Sequence, residues 1–122
     1  MVTGNIVVQK SEDFAVRIVK LAKFLNYHHK EFVMSKQLLR SGTSIGANLN
    51  EAVFGASKTD FLNKVRISLK ECGETRYWLR LLRKTDYLNA EQYTSIEADC
   101  MEIQRLLSSI AKTTSDNLSK GL

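Results

Sequence analysis

The chain is 122 residues long, so it forms one domain, which buries only about two-thirds of its surface if it folds alone. It contains no proline, against about 5% in an average protein, so its composition favours long uninterrupted helices. A formal net charge of +5 permits an anionic partner, but this surplus is smaller than that of a protein that coats nucleic acid.

The first predicted helix begins at Ser11, a residue type that caps helices through its hydroxyl. Residues 1–10 show no helical period, so we expect them to form a loose N-terminal arm. After Ser11 the apolar residues recur every three or four positions and mark one helix face: Phe14, Ile18, Leu21, Ala22 and Leu25. The pattern breaks from Asn26 to Phe32, which we interpret as the first connection between helices.

The second predicted helix starts near residues 32–35, ends near Phe54, and is unusually rich in small residues. Glycine inside a helix costs about 1 kcal/mol relative to alanine, so Gly42 and Gly46 need a reason. Close approach of a neighbouring helix is the reason that we expect. The predicted core face of this helix carries small or apolar residues at helical spacing: Leu38, Gly42, Ile45, Leu49 and Ala52.

The third predicted helix runs from Lys58 to Lys84 and pairs with the second as a hairpin through a turn at residues 55–57. Ser57 is its expected N-cap, with Asp60 three residues later in the reciprocal position. Its core stripe repeats on the same period: Leu62, Val65, Leu69, Cys72, Arg76 and Leu79.

The fourth predicted helix begins after Asn89, with Gln92 in the partner position of a capping box. Its core stripe repeats without interruption: Tyr93, Ile96, Cys100, Ile103, Leu107 and Ile110. From Thr113 the chain turns polar, and we expect a frayed tail. The prediction is therefore an all-α, up-down-up-down antiparallel four-helix bundle in a single domain of residues 1–122, with the bundle at about 11–112, the arm at 1–10 and the tail at 113–122.

A second apolar line on the third helix lies away from the core stripe and consists of Ile67, Trp78 and Leu81. A helix with two apolar lines is usually buried on two sides. Tryptophan is also enriched at interface hot spots, so the line predicts a subunit interface. An exposed tryptophan at the edge of the core is the alternative.

A basic line on the same helix consists of Arg66, Lys70, Tyr77, Arg80 and Lys84, with Gly73 in its middle. Residues 58–84 contain eight basic and three acidic residues, a surplus equal to the net charge of the whole chain. Lysine and arginine on a rigid face suit phosphate contacts, and an aromatic ring can stack a base. The line predicts RNA or DNA binding with little sequence preference, whereas a solvated helix face is the alternative.

Three further polar residues are expected to have structural roles. Asn48 and Glu51 precede the hairpin turn, and antiparallel pairing predicts a polar contact to Arg66 that sets the hairpin register. Arg76 occupies a core-stripe position, so its charge needs a partner, for which Glu97 is a candidate.

Three runs carry a family resemblance, namely LLRSGTSIGANLNEA, SKTDFLNKVRISLKE and ETRYWLRLL. In order and spacing the chain from about residue 14 to 113 resembles the four-helix bundle proteins encoded by intervening sequences of bacterial 23S ribosomal RNA genes. Distant relatives include the accessory protein of diversity-generating retroelements. The resemblance to this accessory protein implies a ring of five subunits that binds nucleic acid and a reverse transcriptase, and the family resemblance implies no catalytic residues.

The sequence lacks the motifs that metal-dependent, phosphate-binding and nucleophilic enzymes require. Neither His28 nor His29 follows a glutamate at the spacing of a di-metal bundle site, and no glycine-rich phosphate loop or nucleophile motif is present. Cys72 and Cys100 fall at core spacing on facing helices, where buried structural thiols are favoured over a redox pair. We therefore expect a protein that is not an enzyme and has no metal or cofactor.

Two functions fit this chain better than a metal-dependent bundle enzyme. The first is a homo-oligomeric nucleic-acid-binding protein, and the alternative is an accessory module that recruits a protein partner. No apolar stretch is long enough to cross a membrane, and residues 6–8 are too short an apolar run for a secretory signal. With only two cysteines in the chain, these features predict a cytoplasmic location.

Overall fold

A computed structural model describes residues 2–55 and 57–121 as an all-α protein, with no strand in those ranges. Met1, Ala56 and Leu122, which belong to the predicted arm, hairpin turn and tail, lie outside the described residues. None of the described helices combines the length and the apolar character that crossing a bilayer requires. The helices are α1 (Val2–His29), α2 (Met34–Ala52), α3 (Lys58–Lys84) and α4 (Ala90–Ser119).

The four helices form the predicted up-down-up-down bundle. Among the described residues α1 contacts α2 and α4, and α3 contacts α2 and α4, without diagonal contacts. Ion pairs show that α1 and α4 run antiparallel, since Lys10 pairs with Glu102 at 3.0 Å and Arg17 pairs with Asp99 at 2.6 Å. The predicted fold class is therefore confirmed.

The predicted N-terminal arm is wrong, because α1 begins at Val2. Val7 is only 1% exposed and belongs to the core, and Ser11 is buried inside the helix, where its hydroxyl donates to the Val8 carbonyl at 2.7 Å. Ser11 therefore does not cap the helix. The spacing Val7, Ser11, Phe14 is helical, but the polar side chain at its centre concealed the continuing period.

The predicted frayed tail is also wrong, because α4 continues to Ser119. The Thr114 hydroxyl donates to the Ile110 carbonyl at 2.8 Å, and both Thr114 and Leu118 are half-buried. The end of α4 lies at the same end of the bundle as the start of α1, since the two helices are antiparallel. The first turns of α1 and the last turns of α4, neither of which was predicted, therefore extend the same end of the bundle.

Small residues bring α2 close to both of its neighbours, as predicted. The predicted core face of α2, including Gly42, is buried. A Cβ atom on Gly42 would lie 2.8 Å from both Cγ1 and Cγ2 of Ile18 in α1. On the other side, the Ser68 hydroxyl of α3 donates to the Ile45 carbonyl of α2 at 2.9 Å. The glycine in the middle of α2 is therefore explained by close helix packing.

The predicted N-cap of α3 by Ser57 and the predicted capping box of α4 are confirmed. The Ser57 hydroxyl accepts a hydrogen bond from the Asp60 backbone N–H at 3.1 Å. The Asn89 side chain accepts from the Gln92 N–H at 2.8 Å, and the Gln92 side chain accepts from the Asn89 N–H at 2.9 Å. These bonds satisfy backbone donors that would otherwise lack a partner in the first turn, so both helix starts are encoded locally.

The two cysteines lie buried where α3 faces α4. The Cys100 thiol donates to the Cys72 carbonyl at 3.7 Å. A side-chain interaction between the two thiols, followed by burial, raises the pKa of the Cys72 thiol above its ordinary value. Because the reactive form of a cysteine is the thiolate, these contacts favour the structural role expected for the pair.

The start of α2 is capped from a distance by Glu31, which the sequence reading missed. Its carboxylate accepts from the backbone N–H groups of Val33 at 3.1 Å, Met34 at 3.0 Å and Ser35 at 2.8 Å. Burial alone would raise the pKa of Glu31, but these three donors outweigh it and lower that pKa below its ordinary value. The charged carboxylate also lies at the positive end of α2.

We expect Glu31→Gln to lower the free energy of unfolding by about 0.5–2 kcal/mol at neutral pH, the usual cost of removing a helix cap. Because the folded-state pKa is lowered, the stabilisation is present above the unfolded value of 4.5 and is lost as pH falls through the folded value. The free energies of unfolding of Glu31→Gln and wild type, measured in urea, should therefore differ at pH 7 and differ less at an acidic pH below 4.5. Glu12→Gln, at an exposed position of α1, is the control. Equal losses at both pH values would contradict the charged cap.

Candidate nucleic-acid interface

The orientation of α3 is set by its buried stripe. Leu62, Val65, Cys72 and Leu79 are all at most 5% exposed, and they attach the helix to the core along its whole length. The opposite face of the same helix is therefore directed to solvent. As a helix of 27 residues, α3 presents a straight surface about 40 Å long at a rise of about 1.5 Å per residue.

The structure places all five residues of the basic line on this exposed face of α3: Arg66, Lys70, Tyr77, Arg80 and Lys84. Among the described residues none of the four cations forms an ion pair, whereas other cations of the bundle are paired with carboxylates. The line spans about 27 Å from Arg66 to Lys84. Among the described residues, no carboxylate is therefore in direct contact with the cations of this line.

Tyr77 is held by two neighbours and remains open to a ligand. Its ring packs edge-on against Trp78, with the ring centres 5.0 Å apart and the planes at 74°. The Arg80 guanidinium carbon lies 6.0 Å from the centre of the Tyr77 ring, at the outer limit of a cation–π contact. The Tyr77 side chain is 46% exposed, so part of the ring can stack with a planar group.

The predicted apolar line is only partly a surface feature. Ile67 is 42% exposed, whereas Leu81 is half-buried and Trp78 packs against the core. The indole N–H of Trp78 donates to the Glu74 carboxylate at 3.1 Å. Within this chain Ile67 is thus the most exposed of the three residues, and Trp78 has a structural role in the bundle.

An arginine that the sequence reading missed lies beside Trp78. Arg40 of α2 donates through Nη1 to the Glu71 carboxylate at 2.9 Å and through Nη2 to the Glu74 carboxylate. The hydrogen bond from Arg40, followed by that from Trp78, lowers the pKa of Glu74. Two acidic residues three positions apart on α3, with an arginine opposite them in the hairpin register, are the sequence signal for this cluster.

The predicted polar contact to Arg66 is wrong. The Asn48 side chain donates to the Ser44 carbonyl of its own helix at 2.8 Å, and Glu51 pairs with Lys64 at 3.3 Å. Lys64 and Arg66 are two residues apart, or about 200° around the helix, so only Lys64 is directed towards α2. Arg66 is thereby left on the solvent side, within the basic line.

Arg76 lies between α3 and α4, half-buried as its core-stripe position suggests. Its Nη2 atom is 3.8 Å from the Glu97 carboxylate, and its Nη1 atom donates to the Gln104 side chain at 3.2 Å. The buried Nε atom has no hydrogen-bond partner among the described residues. This residue therefore links two helices and takes no part in the exposed basic line.

A groove of about 500 Å³ opens between α1 and α4, but its lining does not suggest catalysis. Its floor is apolar, and Ser95, the one hydroxyl in the lining, already accepts a hydrogen bond from Arg17. The lining contains no histidine or cysteine that could act as base or nucleophile. Across the described part of the chain no three potential metal ligands come together.

Comparisons with known proteins show the family to which this bundle belongs. A sequence model described as 23S rRNA-intervening sequence protein matches residues 3–109. A solved structure of a protein of unknown function from the S23 ribosomal protein family of Bacteroides thetaiotaomicron VPI-5482 is 59% identical, with a TM-score of 0.89, and the match covers 90% of this chain and 98% of that chain. No curated protein matches. The chain is therefore a member of the 23S rRNA-intervening sequence protein family.

Proposed function

We propose that this protein is a non-enzymatic, cytoplasmic homo-oligomer that binds RNA or DNA through the basic line of α3 with little sequence preference. The observation that carries the proposal is the exposed row of four cations, none of them in an ion pair within the described residues. Such a row suits a ligand with regularly spaced phosphates. Tyr77 adds an aromatic surface on which any base can stack.

A rigid helix face favours binding without sequence readout. The contacts available to Lys and Arg in the basic line are with phosphates, which carry no sequence information. Both α2 and α4 also pack against α3, so α3 is not free to enter a groove as a recognition helix does. In this proposal the bound nucleic-acid strand therefore lies along the surface of the bundle.

Replacing both Lys70 and Arg80 with alanine is expected to weaken binding to unrelated RNA and DNA sequences alike. Each lost phosphate contact should also flatten the plot of log affinity against log salt by about one unit, because fewer condensed counterions are released. Fluorescence anisotropy over a salt series measures both effects. The matched control is Lys20→Ala with Lys23→Ala, which removes the same charge from an exposed part of α1.

Tyr77→Ala separates stacking from charge in the same assay. It should cost about 1–3 kcal/mol per stacked base with little change of the salt slope. Wild-type protein that binds neither RNA nor DNA at low salt would refute the proposed function. Capture of a defined protein without nucleic acid would then favour the accessory module.

We further propose that the chain assembles into a closed ring of five subunits through the apolar line. The support is Ile67, an apolar side chain 42% exposed in the middle of α3. Light scattering should then give a mass several times 13.8 kDa, the mass of one chain. Ile67→Asp should dissociate the assembly, and it is a sharper test than Trp78→Ala because Trp78 also packs against the core.

Val16→Asp provides the control for assembly, since Val16 is similarly exposed on α1. It should leave the mass unchanged if the interface lies on α3. A wild-type monomer at micromolar concentration would contradict assembly, and a dissociating Val16→Asp variant would place the interface elsewhere.

A further inference from the structure

Gly73 is a glycine in the middle of α3 for which the packing of this chain offers no reason. A Cβ atom built on Gly73 would meet nothing within 4 Å apart from the adjacent backbone of its own helix, so an alanine would fit in open space. The glycines of α2 differ, because a Cβ atom on Gly42 would meet Ile18 and one on Gly46 would lie 3.2 Å from the Ser11 hydroxyl. Glycine is one of the poorest residues in a helix interior, so position 73 carries a cost that the bundle does not require.

The position of Gly73 relates it to the basic line. Lys70 precedes it by three residues and Tyr77 follows it by four, which are the spacings of one helix face. Arg66 and Arg80 lie seven residues to either side, about 10 Å along the helix axis in each direction. Gly73 is therefore the centre of the line, where the helix backbone is bare between cations that carry long side chains.

We propose that the sugar–phosphate backbone of a bound strand crosses α3 at Gly73 and contacts the helix backbone there. The proposal deepens the proposed function and rests on it, because it names the point of closest approach. With no side chain at position 73, the strand lies low enough for Lys70 on one side and Arg80 on the other to reach its phosphates. A methyl group would hold the strand away from the helix and lengthen both charged contacts.

Gly73→Ala and Gly73→Leu test this contact, because both should weaken RNA binding while alanine should also stabilise the fold. Alanine is expected to raise the melting temperature by about 2–6 °C, because it is a better helix residue in open space. Both variants should nevertheless bind mixed-sequence single-stranded RNA more weakly, by about 5-fold for alanine and about 50-fold for leucine, since they insert groups into a close contact. Ser109→Ala, at an exposed position of α4, is the control, and it should leave the affinity unchanged.

The outcomes distinguish this contact from the broader function. If wild type binds RNA and both Gly73 variants bind equally well, the crossing point is wrong while the proposed function stands. If wild type binds no nucleic acid at low salt, the function and the contact both fail. If Gly73→Leu lowers the mass of the assembly in light scattering, the glycine faces a second copy of the chain and the contact is again overturned.

Discussion

Gly42→Leu is expected to lower the free energy of unfolding by about 1–3 kcal/mol or more, because the added side chain overpacks the contact between α1 and α2. Even a Cβ atom at this position would lie 2.8 Å from two carbons of Ile18, closer than real side chains approach. Ile18 is fully buried and its Cγ atoms are attached next to the backbone, so it cannot swing aside. Urea unfolding of the variant and wild type measures the loss.

Gly73→Ala is the matched control for this experiment, since both positions are helical glycines but position 73 has open space. It should gain about 0.5–1 kcal/mol from helix propensity alone. A double-variant cycle adds a second check, because Gly42→Ala should cost less in a chain that also carries Ile18→Ala. An unchanged or raised melting temperature for Gly42→Leu would refute the close packing.

Arg40→Ala is expected to cost about 1–3 kcal/mol, because it leaves the Glu71 carboxylate without its cation. The Glu71 side chain is only 12% exposed, so water cannot fully replace the lost partner. The Arg40 side chain itself is 48% exposed, which keeps the expected loss below that of a fully buried pair. The stability of Arg40→Lys should lie between those of wild type and Arg40→Ala, because a single ammonium group cannot bind both carboxylates as the forked guanidinium does.

The pH dependence of this loss has a definite sign. Arg40 lowers the pKa of Glu74, so the pair stabilises the fold above the unfolded value of 4.5, and the stabilisation disappears as pH falls through the lowered folded value. The difference between wild type and Arg40→Ala should therefore shrink in acid. Lys64→Ala, which breaks a more exposed pair with Glu51, should cost at most about 1 kcal/mol. If Lys64→Ala lowers the free energy of unfolding as much as Arg40→Ala does, the burial of the Glu71 carboxylate does not strengthen its pair with Arg40.

The sequence by itself determined the number of helices, most of their bounds, the core faces of α2 and α4, and part of the core face of α3, whose buried Ser68, Glu71 and Thr75 it did not predict. These features depend on short-range physics, because apolar spacing and caps such as Ser57 and Asn89 act within a few residues of the chain. The same reasoning predicted that the basic line lies on one face of α3, since helix geometry alone sets which residues share a face.

Only the tertiary structure decided which polar residues are buried and which cations are neutralised. The sequence alone predicts a cap at Ser11, because a hydroxyl residue suits both a helix start and a small-residue contact. Its burial depends on α2, which lies beside it at Gly46. The rotation of α3 against α2 decides which charges meet. Because of it, Arg40 pairs with Glu71 and Glu74, and Glu51 pairs with Lys64 and not with Arg66. That rotation results from packing across the whole interface, and among the described residues it leaves the four cations of the basic line outside any ion pair.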